Sequence, residues 1–90
     1  MKIMVICRPR AGVTGAGIAT HGPAEMADLA RPQEDGILAE AYSPGAPGAI
    51  LIFQASRERV DRAVASLPLA RAGMIDTEII ELHPFAGSAP

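Results

Sequence analysis

Aromatic side chains are almost missing from this chain, which has no Trp, one Tyr and two Phe in 90 residues. With 49% of its residues hydrophobic, its core has to be built from aliphatic side chains. Cysteine occurs once, as Cys7, which excludes an intramolecular disulfide and suits a reducing cytoplasm. Neither sign of charge dominates: the formal net charge of −2 gives no electrostatic case for nucleic acid or an anionic membrane. No segment approaches the ~18 consecutive apolar residues of a membrane span. Met1-Lys2 runs straight into a strand pattern where a signal peptide would place a longer leader. Two His and one Cys scattered along the chain show no metal-ligand spacing, and no nucleotide fingerprint is complete, so neither metal nor organic cofactor is expected.

What is there suits one domain over residues 1–85, with residues 86–90 a small-residue tail. Lys2 to Arg8 alternates as a strand, with Ile3, Val5 and Cys7 on one face and Lys2, Met4, Ile6 and Arg8 on the other. Pro9 ends it, and the Gly- and Ala-rich stretch from Arg10 to Thr20 reads as a long loop. Gly22-Pro23 reads as a helix start, with Glu25 near the positive end of the dipole. Pro32 should kink or shorten that helix near Arg31, and Gly36 should end the unit.

Ile37 to Ser43 is the second expected strand, with Leu38, Glu40 and Tyr42 on one face. A Pro-Gly-Ala-Pro-Gly turn leads into a third strand from Ala49 to Ala55, making a hairpin. Ser56 is a good N-cap for a second helix, in which Val60, Ala63, Val64 and Leu67 recur at helical spacing until Pro68. Met74 to Leu82 is the last strand. The pattern is βαββαβ, an α+β ferredoxin-like fold with a four-stranded antiparallel sheet. Two helices can cover only one face of such a sheet. Met4, Ile6, Leu38, Tyr42, Ile80 and Leu82 would then lie uncovered, and an apolar face of that size implies a second copy packed sheet against sheet.

Several motifs carry a family likeness. They are Gly36-Ile37-Leu38, Glu40-Ala41-Tyr42, Gly48-Ala49-Ile50-Leu51, Ser66-Leu67-Pro68-Leu69 and the ending Ile79-Ile80-Glu81-Leu82-His83-Pro84-Phe85. In these the chain resembles the muconolactone isomerase-like branch of the dimeric α+β barrels. The resemblance implies a homodimer or higher homo-oligomer and a cofactor-independent enzyme that shifts a double bond in a small lactone by proton transfer. Related barrels include cofactor-free monooxygenases and proteins of no known activity. The Gly12 to Gly17 loop, Pro32 and the sparse aromatics depart from the isomerase pattern.

Proton transfer beside a carbonyl needs a base, a donor for the developing enolate and a dry pocket. His21 and Glu40 are the expected acid–base residues. Arg8, Glu25, Tyr42 and His83 are the expected substrate-binding ones. His21 stands four residues before Glu25, so a helix reaching back to His21 would put them on one face. Arg8, Glu40 and Tyr42 point the same way by alternation, either as a carboxylate-binding group or as a polar network between subunits. Asp76 and Glu78 share a strand face, as a carboxylate pair or a salt-bridged edge. Cys7 reads as a buried small hydrophobe, and the Gly12 to Gly17 run as a mobile flap over a pocket or simply a loop. A non-catalytic dimeric small-molecule binder or accessory protein is the competing function, and a cofactor-free monooxygenase a further one.

Overall fold

In the computed structural model, described over residues 1–86, the strongest alternation of the chain builds the central strand β1 (Lys2–Pro9). Its inward residues Ile3 and Val5 are wholly buried and Cys7 nearly so. The remaining elements follow as α1 (Gly15–Glu34), β2 (Leu38–Tyr42), β3 (Ala49–Gln54), α2 (Arg57–Ala65), a single turn α3 (Pro68–Arg71), and β4 (Ile75–Leu82). The strands form one sheet in the order β2-β3-β1-β4, with every neighbouring pair antiparallel. This is the α+β ferredoxin-like arrangement that the βαββαβ pattern predicts. No helix among the described residues is long and apolar enough to cross a membrane. Of the tail expected over residues 86–90, residues 87–90 lie outside the described residues.

The core lies between the helices and one sheet face, and it is aliphatic apart from Phe53 and Cys7. Phe53, Ile3, Leu51, Val5 and Val60 are its largest fully buried side chains. Each such burial stabilises the fold by about 1.5–3 kcal/mol. The helix α2 meets this core through Val60 and Val64. Its start is fixed by Ser56, whose hydroxyl accepts from the Arg59 N–H at 3.2 Å.

Three local expectations give way to stronger physics. The stretch from Arg10 to Thr20 is not a loop throughout, because α1 already begins at Gly15. Thr14 is its N-cap, its hydroxyl accepting from the Gly17 N–H at 3.1 Å. Helix therefore runs through Gly22-Pro23 instead of starting there, and it also passes Pro32 and continues to Glu34. Proline disfavours helical backbone in the residue before it partly through that residue's Cβ, and Gly22 has none. The helix ends as expected at Gly36, whose φ of +74° closes a C-terminal turn. There the Gly36 N–H bonds the Gln33 carbonyl and the Ile37 N–H bonds the Pro32 carbonyl.

The second correction concerns Leu38. It pairs with Phe53 while Glu40 pairs with Ile52, so β2 carries one extra residue at Ala39. That bulge turns Leu38 into the core, 3% exposed, and leaves Glu40 and Tyr42 on the far face with Ile52 and Ile50. Third, Pro68 does not only stop α2. It opens α3, where a residue with no N–H to leave unpaired costs nothing.

Candidate functional site

The long helix α1 packs over the sheet with an unusual inner stripe. Ile18, His21, Gly22, Glu25, Leu29 and Pro32 are half-buried at helical spacing, yet no residue of α1 is fully buried. Gly22 in such a stripe leaves open the volume that Leu or Ile would occupy. The result is a cavity of about 210 Å³ between α1 and the sheet. Cys7, Ala49, Leu51 and Ile75 line it from the sheet side, and Leu67 and Leu69 from the cap and first turn of α3. Gly48 completes the wall, and there only glycine serves. Its φ is +132°, and a Cβ would sit 2.5 Å from the Cys7 carbonyl oxygen.

Among the described residues Glu25 is the only charged one of that lining. Its Oε1 accepts a 2.7 Å hydrogen bond from the Leu69 N–H. That contact has a local cause: Leu67, the N-cap of α3, offers no side-chain oxygen, so a carboxylate 44 residues away in sequence takes the free N–H. Cys7 feels the same enclosure. Burial first, and the Glu25 charge second, push its thiol from 9.0 up to about 11, so it stays protonated and unreactive near neutrality. One turn before Glu25, the Nδ1 atom of His21 is shut off from solvent and has no hydrogen-bond partner. A buried polar atom without a partner costs about 1–3 kcal/mol and calls for a reason.

Thus the structure brings His21 and Glu25 onto one stripe of one helix, as a helix reaching back to His21 requires. Glu40 is elsewhere. It lies on the uncovered sheet face, where its Oε1 accepts from the Tyr42 hydroxyl at 2.5 Å. That bond and the adjacent charge raise the Tyr42 pKa above its ordinary value. His21 and Glu40 are therefore on opposite sides of the sheet and share no pocket within one chain.

Arg8 does not join Glu40 and Tyr42 either. Its Nη1 is 3.0 Å from Glu78 on β4, while β3 separates β1 from β2. Asp76 is 2.9 Å from Arg10, so the two carboxylates of β4 on this face each have their own arginine, as a salt-bridged strand edge requires. Such exposed pairs contribute about 0–1 kcal/mol each. His83 stands exposed beyond β4, 4.0 Å from Glu81. It borders a shallow pocket with Lys2, Gln54, Leu82 and Pro84, at the opposite end of β1 from Cys7. The Gly12 to Gly17 run is divided between a turn and the first residues of α1, and Gly17 packs so closely on Met74 that a Cβ would approach it to 2.8 Å. Among the described residues no three His, Cys, Asp or Glu side chains are grouped to hold a metal ion.

Sequence reasoning missed Gly22, Gly48 and Met26 as lining residues and the Leu69 N–H as the partner of Glu25. The signal for the first was Thr14, a capping residue three positions before Gly17. Starting the helix there puts residues 18, 21, 22, 25 and 29 on one stripe.

No protein-family model matches the chain, and no curated protein matches it significantly in sequence. Among solved structures it is similar to a 5-chloro-2-hydroxyhydroquinone dehydrochlorinase from Burkholderia phenoliruptrix in complex with 2,5-dihydroxybenzoquinone. The TM-score is 0.74 and the identity 19%, over 99% of this chain and 100% of that one. At that identity the likeness establishes the fold alone.

Proposed function

We propose that this chain is a small-molecule enzyme that moves a proton on a compact carbonyl or lactone compound held under α1, in the manner of a muconolactone isomerase-like protein. The observation that carries the reading is one carboxylate, Glu25, in an otherwise apolar cavity whose helix also presents an unpartnered His21 nitrogen. A base in a dry pocket can take a proton from a carbon beside a carbonyl, and returning it to a different carbon shifts the double bond. No electrons leave the substrate and none arrive. In this reading Glu25 takes the proton and His21 stands one turn away to relay it. The dehydrochlorinase of the same fold also acts on a small ring compound, which supports a small-molecule substrate here.

The test is deuterium exchange into small cyclic ketones and lactones in heavy water, followed by NMR. Once an exchanging compound is found, Glu25→Gln should slow the exchange by about 10²–10⁴-fold, the usual worth of a general base. Glu40→Gln, on the other sheet face, should leave it unchanged. Exchange within about threefold of the parent in both Glu25→Gln and His21→Gln, a barrier change of only ~0.7 kcal/mol, would show that neither residue is the base.

A non-catalytic binder is the second reading, favoured by the bond between Glu25 and Leu69, since a capping role alone could explain the carboxylate. Binding without exchange would select it. In either case we propose that two copies pack through the uncovered sheet face, where Met4, Ile6, Ile50, Ile52 and Ile80 lie half-buried side by side. Light scattering should then give at least twice the 9.3 kDa chain mass. Ile80→Asp should dissociate the pair, because a carboxylate buried without a partner costs several kcal/mol.

A further inference from the structure

We infer that the cavity under α1 selects an uncharged single ring bearing a hydroxyl group, and turns carboxylate-bearing molecules away. This rests on the reading of that cavity as the working site, and it names the class of molecule the site takes. Size sets the first limit. A cavity of about 210 Å³ is larger than the roughly 150 Å³ space that suffices for benzene in an apolar protein interior, so it has room for one substituted ring but not for two.

Charge sets the second limit. Among the described residues no Lys or Arg lines the cavity, and its one charged residue is acidic. Arg8 at the end of β1 and Arg10 just beyond it are paired with Glu78 and Asp76 on β4. A carboxylate entering would lose its water, meet no cation and face Glu25. A hydroxyl meets the opposite situation. The bond from the Leu69 N–H engages Oε1 of Glu25, which leaves Oε2 to accept from a ligand O–H. The rest of the wall, with Ile18, Leu29, Leu51 and Ile75, offers only apolar contact to a ring.

Equilibrium binding of phenol and benzoate at pH 7, by NMR titration of the intact protein, tests the inference. The two share a ring, but the hydroxyl of phenol stays protonated (pKa about 10) whereas a carboxylic acid, with a pKa near 4, is ionised. Phenol should bind, and benzoate should bind at least about tenfold more weakly, since its charge would be buried unpaired. Glu25→Gln keeps an oxygen for the Leu69 N–H while removing the charge, so it should narrow that gap. Met26→Lys, at an exposed position on the rim, should raise benzoate affinity several-fold without needing the core to repack. Benzoate binding as tightly as phenol would overturn the inference. So would a gap unchanged in both variants, or no binding of either compound at ~10 mM, far weaker than a one-ring pocket should allow. Phenol selected as described, with no exchange activity on any carbonyl compound, would instead remove the catalytic reading and leave this one standing.

Discussion

The two longer helices of this protein make opposite use of the same sheet face. The nine residues of α2 bury Val60 completely and Val64 almost so, while the twenty residues of α1 bury none. Every local signal in α2 agrees: a Ser cap, Glu58 in its first turn, Arg62 in its last, and a β-branched stripe toward the core. By contrast α1 contains two prolines and several glycines, has no acidic residue in its first turn, and turns His21 and Glu25 inward. Sequence consistency fails where volume is left open. We take α2 as the helix that holds the fold and α1 as the helix that shapes a site.

Acid substitution on the inner stripes would break that comparison most sharply. Val60→Asp should abolish cooperative unfolding, because Val60 is wholly enclosed and an unpaired carboxylate there costs several kcal/mol of a total that is about 5–15 kcal/mol. Leu29→Asp, at a half-buried position beside the cavity, should leave a protein that still melts cooperatively. Circular dichroism on heating distinguishes the outcomes, and two variants that unfold alike would erase the distinction between the helices.

A smaller effect is expected in alkali. The Cys7 thiol has its pKa raised to about 11 in the folded protein, so the unfolded chain, with a thiol pKa near 9.0, loses its proton first as pH rises. The contribution is fully present below pH 9 and is lost as pH climbs toward 11, amounting to about 2–3 kcal/mol. Urea melts across that window should show the decline, and Cys7→Ala should flatten it. An unchanged slope in Cys7→Ala would mean that the thiol is not enclosed as described.

Smaller still is the link from α1 to α3. Glu25→Ala removes the acceptor for the Leu69 N–H and should cost about 1 kcal/mol, in the range of lost helix caps, while Glu25→Gln should cost less because it can still accept. Equal losses in the two would argue that the charge, and not the hydrogen bond, is what α3 requires.

How much of this was legible in the sequence depended on how local each cause was. The alternation of Ile3, Val5 and Cys7, the Ser56 cap and the Val60/Val64 stripe are short-range patterns, and each appears in the structure where it was read. Gly36 likewise ends α1. The beginning of α1 was obscured because Gly and Ala dominate residues 11–19 and Gly22-Pro23 imitates a helix start. Leu38 was turned inward by a bulge that no alternation rule anticipates. The site was only half visible. His21 and Glu25 were picked out four residues apart, but the partner of Glu25 is 44 residues away and depends on α3 lacking a cap of its own. The grouping of Arg8 with Glu40 and Tyr42 followed from strand parity alone, and the strand order β2-β3-β1-β4 separates them.

The central claim is that a ring compound occupies the space under α1. Amide chemical shifts of isotopically labelled protein, followed during a phenol titration, address it directly. Saturating shifts should concentrate at Gly22, Glu25, Gly48 and Leu69, which surround the cavity, with little change at Glu40, Tyr42 or His83. Shifts confined to Glu40 and Tyr42 on the open sheet face, or to His83 at the far end of β4, would contradict the account.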